Sequence, residues 1–244
     1  MNIVILMAGA GKDFEAQGHS YPKYLLEIQN KPIIQRVVDS LKNLGNNIIS
    51  IIRKEDQEKF FLGDMMKILC PDVKVITVEN ITKGAVCTAL FAIEDINNDE
   101  ELLIVNGDQL VKANIYTAIA DFRNRRLDGG ILTFKSVHPR WSFVAEDRNG
   151  LVTETSEKRP ISANATAGCY YYKKGSDFVK ACFSVIEKDA NTNGLYYISA
   201  TYNELILEQK NIGTYESPRK DYISFSNYQM YENYLSHRKG ANDE

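Results

Sequence analysis

Short apolar runs alternate with amphipathic segments over the first 108 residues, and this pattern constrains the fold more than any other feature. Four runs have the length and composition of buried strands: residues 3–6, 47–52, 73–78 and 101–105. Helical periodicity separates them at residues 32–44, 54–69 and 84–96. Because parallel strands need such crossover segments, the pattern predicts an α/β protein with a mostly parallel sheet covered on both faces.

After about residue 128 the pattern becomes that of a mixed-β extension. Short strands are predicted at residues 129–136, 142–146, 151–155 and 166–172. Helices at 176–188 and 199–210, two short strands within 213–225 and a closing helix at 227–235 complete the chain. We expect one domain over residues 1–236 and a mobile tail at 237–244.

Composition excludes several classes of protein. The 244 residues carry 29 basic and 32 acidic side chains, and the net charge of −3 gives no reason to expect a nucleic-acid partner. Four scattered cysteines match neither a zinc site nor a disulfide framework. No apolar run approaches the roughly 20 residues that cross a bilayer, and the N-terminus does not resemble a signal peptide. We expect a cytoplasmic protein with no membrane partner.

A small-residue turn, Ala8-Gly9-Ala10-Gly11-Lys12, follows the first strand, and Lys23 comes after Pro22. Glycines let backbone N–H groups approach an anion, and lysines add positive charge, so the turn suggests a loop around nucleotide phosphates. The alternative is a tight turn without a ligand, since the segment is neither a Walker A loop nor a dinucleotide fingerprint.

Asp108 follows the fourth apolar run, behind Gly107. Ligands of parallel sheets bind beyond the carboxyl ends of the strands, so this carboxylate is placed to hold a divalent cation between phosphates. The alternative is that Asp108 caps the next turn. The glycine turn and Asp108 together form the two halves of a nucleotide–metal site.

Two further positions are ambiguous from the residues alone. Trp141, the single tryptophan, is either a stacking lid over a substrate or an anchor for the β extension. Lys158 either directs a compact cation at a second phosphate or lies in a solvated turn.

Seven short motifs occur in the order and spacing of the sugar-phosphate nucleotidyltransferases, which this chain resembles up to about residue 235. They are LMAGAG (6–11), YPKYLL (21–26), NKPII (30–34), TKGA (82–85), NGD (106–108), EK (157–158) and AGCY (167–170). Size and pattern look closest to the small cytidylyltransferases that act on phosphocholine or phosphoglutamine. The resemblance implies a Rossmann-like sheet of the nucleotide-diphospho-sugar transferase type, with a nucleotide-binding half at 1–128 and an acceptor-binding half at 129–236.

The resemblance also implies a reaction: transfer of a nucleoside monophosphate, with CTP favoured as donor, to a phosphorylated small molecule, with Mg²⁺ as cofactor and pyrophosphate released. The product would be a precursor of a cell-surface polymer such as capsule or lipopolysaccharide. Lys23 and Asp108 would be catalytic, with Asp108 holding Mg²⁺. The implied nucleotide contacts are Ala8, Gly9, Ala10, Gly11, Lys12 and Gly84, and the acceptor contacts are Lys158 and Gly168, with Trp141 as the candidate lid.

Two positions depart from the family pattern. Asp13 stands where the family usually carries an arginine that embraces the triphosphate, and a carboxylate there would repel phosphates unless it turns away or binds a metal ion. The family's second metal ligand is a carboxylate near the C-terminus, for which Asp221 is the candidate.

Two other functions remain open. A glycosyltransferase that uses a nucleotide-sugar would normally carry Asp-x-Asp after the metal-binding strand, whereas this chain has Asp108-Gln109-Leu110. A non-catalytic nucleotide-binding module has little reason to keep Lys23, Asp108 and Lys158. The sequence identifies neither the base nor the acceptor, and a homodimer is possible.

Overall fold

A computed structural model describes residues 1–42, 44–45, 47–112 and 114–242. Its strands are β1 (Asn2–Met7), β2 (Glu27–Ile28), β3 (Lys31–Pro32), β4 (Asn47–Arg53), β5 (Lys74–Val78), β6 (Leu102–Asn106), β7 (Gln109–Val111), β8 (Gly129–Lys135), β9 (Ser142–Glu146), β10 (Val152–Glu157), β11 (Asn164–Tyr172), β12 (Ile212–Glu216) and β13 (Tyr222–Ser224). Its helices are α1 (Lys12–Glu15), α2 (Ile33–Leu41), α3 (Lys54–Phe60), α4 (Leu62–Leu69), α5 (Ala85–Ala89), α6 (Ile93–Ile96), α7 (Ile115–Asn124), α8 (Gly175–Glu187), α9 (Ile198–Leu207) and α10 (Tyr228–Asn242). The predicted mobile tail, residues 237–244, ends in two residues outside the described part and stays a prediction.

The central sheet has nine strands, and its main path runs β10-β9-β11-β6-β1-β4-β5. Strands β6, β1, β4 and β5 are mutually parallel, and β11 joins β6 in the antiparallel sense. On its other side β11 pairs with β8, which in turn pairs with β12 in the parallel sense. The predicted α/β class, with a mostly parallel sheet and a mixed extension, is confirmed.

Alternation along β1 divides the interior into two apolar layers. Ile3, Ile5 and Met7 pack in one cluster with residues of α2 and α7. Val4 and Leu6 belong to the opposite cluster, which includes residues of α5, α8 and α9. Because successive side chains of a strand point to opposite faces, a continuously apolar strand requires helices on both sides. Burying each such side chain stabilises the fold by about 1.5–3 kcal/mol.

Helix boundaries are where the structure differs most from the sequence prediction. The helix expected over 54–69 is divided into α3 and α4 by Phe61, which adopts the left-handed conformation at φ 54° and ψ 34°. The helix expected over 84–96 is divided by a 3₁₀ turn, Leu90–Ala92. The short helix α1 begins directly after the glycine turn, where Gly11 adopts the left-handed conformation, and it buries Phe14. Periodicity does not report such breaks, since the apolar face continues through them.

The sheet brings the predicted site segments to one edge. The glycine turn follows β1, and Asp108 follows the adjacent parallel strand β6. Strand β13 pairs with β7 in the antiparallel sense, with Ser224 opposite Gln109, and so carries the C-terminal segment to the same edge. Among the described helices, none is both long and apolar enough to span a bilayer.

Candidate active site

A cleft of about 510 Å³ opens at this edge of the sheet, between the parallel half and the β extension. Of the predicted site residues, eight line it: Ala8, Gly9, Ala10, Lys23, Gly84, Asp108, Trp141 and Gly168. Residues 85 positions apart along the chain therefore meet in one cavity, as expected for the carboxyl ends of neighbouring parallel strands.

Lys23 and Asp108 form a buried ion pair in the cleft. The distance from Lys23 Nζ to Asp108 Oδ2 is 2.5 Å, and the side chains are only 9% and 16% exposed. Burial alone would lower the pKa of Lys23, but the Asp108 carboxylate and neighbouring Tyr24 act in the opposite direction and raise it above its ordinary value. The ammonium therefore stays charged throughout the neutral range, where it can attract a phosphate.

Tyr24 holds the glycine turn in place through a hydrogen bond. The Gly9 backbone N–H donates to Tyr24 Oη at 3.3 Å, and the Tyr24 ring is buried in the core. Burial raises the pKa of Tyr24 to about 12, although the Lys23 charge opposes the shift. Gly11 adopts φ +61° and ψ 18° at the start of α1, a conformation that favours glycine. The turn is thus fixed relative to Lys23.

Gly84 lines the cleft in a backbone conformation that only glycine adopts readily. Its φ is +106° and its ψ 178°, and a Cβ there would overlap the backbone of Tyr196. The Tyr196 N–H donates to the Lys83 carbonyl at 2.8 Å, and the Val86 N–H donates to the Tyr196 carbonyl at 3.1 Å. These bonds hold the start of α5 at the cleft wall.

Gly168 lies at an irregularity in β11, where the register against β8 shifts between Thr166 and Tyr170. Its φ is +58°, and a Cβ would overlap the side chains of Gln109 and Asn106. Gln109 Nε2 donates to the Gly168 carbonyl at 2.6 Å, and Tyr222 Oη donates to Gln109 Oε1 at 3.1 Å. The bulge therefore brings the part of the cleft lined by Gly168 close to Asn106, at the end of β6.

Aromatic rings and a half-buried carboxylate, that of Glu157, line the far side of the cleft. The Trp141 ring centroid lies 5.4 Å from that of Phe134 and 5.6 Å from that of Tyr222, both edge-on, so Trp141 is anchored as well as exposed to the cavity. Glu157 accepts hydrogen bonds from Ser142 and Ser199. Burial raises the pKa of Glu157, although the bond from Ser142 opposes the shift.

Lys158 and Lys12 lie outside the cleft lining. Lys158 is exposed, and its Nζ lies 5.4 Å from the ring centroid of Tyr197, which does line the cleft. The structure thus places Lys158 at the rim. Lys12 is exposed in α1, and Gly11 lines a neighbouring smaller pocket instead.

Asp13 turns away from the cleft. Its Oδ2 accepts the backbone N–H of Tyr228 at 2.6 Å and so caps the first turn of α10. The Tyr228 ring also packs on Phe14 and His19, at centroid distances of 5.9 Å and 5.3 Å. The expected repulsion of phosphates by Asp13 is reduced by this orientation, because the carboxylate is engaged by the helix.

Replacing Asp13 by alanine is expected to reduce the free energy of unfolding by about 1 kcal/mol, the usual cost of removing a helix cap. Asp13→Asn should be nearly neutral, since asparagine caps equally well. Urea denaturation of both variants tests this role. Equal losses in the two variants would contradict it.

The family model for nucleotidyl transferases matches residues 2–211 of this chain. The chain belongs to the nucleotidyl transferase family. It is 27% identical over 217 residues to the "Bifunctional protein GlmU" of Methanocaldococcus jannaschii, covering 86% of this chain and 48% of that protein. It is 24% identical over 220 residues to the "UTP–glucose-1-phosphate uridylyltransferase AglF" of Haloferax volcanii, covering 87% of this chain and 86% of AglF.

The fold of this nucleotidyl transferase also matches a solved structure. The crystal structure of a nucleoside-diphosphate-sugar pyrophosphorylase from Vibrio cholerae RC9 superimposes with a TM-score of 0.82 at 23% identity, covering 96% of this chain and 99% of the other. The chain spans about half the length of some curated relatives, including GlmU. The predicted family and its Rossmann-like fold are confirmed.

The donors in the cleft of this nucleotidyl transferase suit a Mg²⁺ ion that shares its coordination with substrate phosphates. Asp108, which carries a carboxylate, lines the cleft, as do Ser224 and Ser226, which carry hydroxyl groups. Mg²⁺ is commonly held by one or two carboxylates with phosphates and water. Among the described residues, no group of three His, Cys, Asp or Glu side chains is suited to hold a metal ion.

The structure does not bring Asp221 to the cleft. Asp221 ends a short turn, Arg219–Asp221, and its backbone carbonyl accepts a hydrogen bond from the Lys112 N–H at 2.7 Å. Tyr222 pairs with Val111 and Ser224 with Gln109, and the residues of this segment that line the cavity are Tyr222, Ser224 and Ser226. Which residue of this segment faces the cavity depends on the register of β13 against β7, and the sequence alone does not give that register.

Several cleft residues were missed from the sequence. Gln109, Tyr222 and Tyr24 all shape the cavity through hydrogen bonds to glycines or to each other. Tyr24 could have been suspected from its place beside Lys23. Gln109 and Tyr222 are 113 residues apart, and nothing in either local sequence signals their bond.

Proposed function

We propose that this chain transfers a nucleoside monophosphate, with CTP the favoured donor, to a phosphorylated small molecule such as a sugar phosphate and releases pyrophosphate. The product would be an activated precursor for a cell-surface polymer, capsule or lipopolysaccharide. The observation that carries the proposal is the buried Lys23–Asp108 pair at the point where the glycine turn enters the cleft. Family membership and the motif order support the same reaction class.

The nucleotide half of the site positions the donor. The nucleoside lies in the part of the cleft bounded by Ala8, Gly84 and Thr88, and its phosphates cross the Gly9–Ala10 backbone. Lys23 then faces the α-phosphate. Its charge, maintained by Asp108 in spite of burial, lowers the free energy of the additional negative charge that forms in the transition state.

The acceptor half positions the nucleophile. The acceptor enters between Trp141, Glu157 and Gly168, with Lys158 at the rim available to its phosphate. An oxygen of that phosphate attacks the α-phosphorus, forming a new P–O bond, and the bond from the α-phosphorus to the α,β-bridging oxygen breaks. The bonding electron pair leaves with pyrophosphate. A phosphate nucleophile is already ionised, so no general base is needed, and positioning and charge account for catalysis.

Asp108 is the residue that would hold Mg²⁺. The ion would supply charge neutralisation to the donor phosphates, as in other phosphoryl-transfer sites. The Asp108 carboxylate has a second role that needs no metal, since it orients Lys23 and compensates its charge.

Pyrophosphate release over a matrix of CTP, UTP, dTTP, GTP and ATP against phosphorylated sugars, polyols, choline and amides tests the proposal, with Mg²⁺ present. We expect release with one donor–acceptor pair above all others and none without acceptor. A nucleotide-sugar that yields a nucleoside diphosphate instead would identify a glycosyltransferase. Nucleotide binding without any turnover would identify a regulatory module.

A further inference from the structure

A second cavity, of about 260 Å³, adjoins the cleft on the side of β4. The two share four lining residues, Gly9, Ala10, Lys23 and Tyr24. Gly11 faces only the smaller cavity. The glycine turn is therefore a common wall, and a ligand that crosses it from the cleft enters the smaller cavity.

Arg53, at the end of β4, is held in this smaller cavity by a buried carboxylate. Arg53 Nε and Nη2 donate to Asp56 Oδ2 and Oδ1 at 2.9 Å and 2.6 Å. The Arg53 side chain is 15% exposed and that of Asp56 is fully buried. A two-bond pair of this kind fixes the plane of the guanidinium. Arg53 Nη1 also donates to Glu55 Oε2 on the exposed rim, at the long distance of 3.4 Å. Each Nη atom therefore keeps one N–H that has no partner among the described residues and is available for a ligand.

The smaller cavity has no excess of positive charge, so its suitability for an anion depends on how its cationic side chains are oriented. Its cationic side chains, among the described residues, are Lys23, Arg53 and Lys59, and its carboxylates are Glu15, Glu55 and Asp56. Lys59 and Glu55 pair at 2.7 Å on the exposed rim. Arg53 is the buried cation here that is not already assigned to the α-phosphate. A guanidinium matches two phosphate oxygens geometrically, which a lysine cannot do.

We infer that the smaller cavity receives the β- and γ-phosphates of the nucleoside triphosphate, with Arg53 as their principal side-chain ligand. The inference rests on the proposed function, since an α-phosphate at Lys23 directs the remaining phosphates across the shared Gly9–Ala10 wall. Asp13 is engaged by α10 and contributes no cation at the turn. Arg53, supplied from the neighbouring strand, provides a fork for the leaving pyrophosphate.

The double substitution R53Q/D56N removes the fork without leaving a charged Asp56 buried alone. The matched control is R123Q/E101Q, which also removes a two-bond ion pair. The two Arg123–Glu101 hydrogen bonds measure 2.8 Å and 2.5 Å, and neither residue lines either cavity. The milder variant Arg53→Lys keeps a charge beside Asp56 but lacks the fork, and it serves if the double variant does not fold.

Calorimetry with CTP, UTP, CMP, UMP and inorganic pyrophosphate, in the presence of Mg²⁺, measures the effect. We expect R53Q/D56N to lose at least about tenfold in affinity for the triphosphate and for pyrophosphate, which is the scale of one charge-assisted contact. Its affinity for the monophosphates should not change, and the control variant should bind all of these ligands as the wild type does. Arg53→Lys should lose affinity in the same direction. Unchanged triphosphate affinity in a folded Arg53 variant would overturn the inference and leave the proposed function intact. A wild-type protein that binds none of these nucleotides would overturn both.

Discussion

Asp108→Asn is expected to reduce the rate of pyrophosphate release by about 10²–10³-fold or more, the cost of removing one group that stabilises transition-state charge. Asparagine has nearly the same shape and can still accept a hydrogen bond from Lys23. It cannot compensate the buried ammonium or act as a carboxylate ligand for a cation. Single-turnover measurement at saturating substrates isolates this effect from weaker binding.

The matched control for this variant is Asp121→Asn. Asp121 also pairs with a cation, Arg125 at 3.1 Å, but on an exposed helix face where the pair contributes little. We expect its activity to equal that of the wild type. Activity of Asp108→Asn at the level of Asp121→Asn, with both proteins folded, would exclude Asp108 from the reaction.

Gly84→Ala is expected to reduce the free energy of unfolding by about 3 kcal/mol or more and to weaken nucleotide binding. The φ of +106° and ψ of 178° cost a residue with a Cβ about 1–3 kcal/mol by themselves. The new methyl group would also overlap the Tyr196 backbone, which cannot rotate away as a side chain would. Urea denaturation gives the stability, and the KM for the donor nucleotide gives the effect on the site.

Gly150→Ala provides the comparison. Gly150 also has a positive φ, +74°, but the nearest atom to a Cβ there is Arg125 Nη2 at 3.9 Å, an ordinary contact. In this variant the free energy of unfolding should fall only by the conformational penalty of about 1–2 kcal/mol, and the KM for the donor nucleotide should not change. Equal losses at the two glycines would show that the overlap with Tyr196 does not matter.

The sequence predicted the parts of this site that depend on the order of strands. The glycine turn and Asp108 are each weak signals alone, but both follow apolar strands, and the rule for parallel sheets places such segments at one edge. That rule correctly brings the glycine turn and Asp108 to one cleft. The periodicity of the apolar runs likewise gave the strands and most helices, because it reports burial directly.

The sequence could not predict contacts that depend on how distant segments settle against each other. Asp13 caps a helix 215 residues later along the chain, and its local sequence suggested only a missing arginine. A helix was predicted over residues 54–69, but nothing in the local sequence indicates that Asp56 is fully buried and paired with Arg53. Phe61 interrupts a segment whose apolar pattern is continuous, so only the backbone reveals the break.

Transfer of isotope from a labelled acceptor tests the central claim most directly. The acceptor that the substrate matrix identifies is prepared with ¹⁸O in its phosphate and incubated with the preferred nucleoside triphosphate, and both products are analysed by mass spectrometry. Attack by the acceptor phosphate on the α-phosphorus predicts that all of the label is found in the nucleotide-linked product and none in pyrophosphate. Label in pyrophosphate, or a product that lacks the acceptor's phosphate oxygens, would contradict a nucleotidyl transfer at the Lys23–Asp108 site.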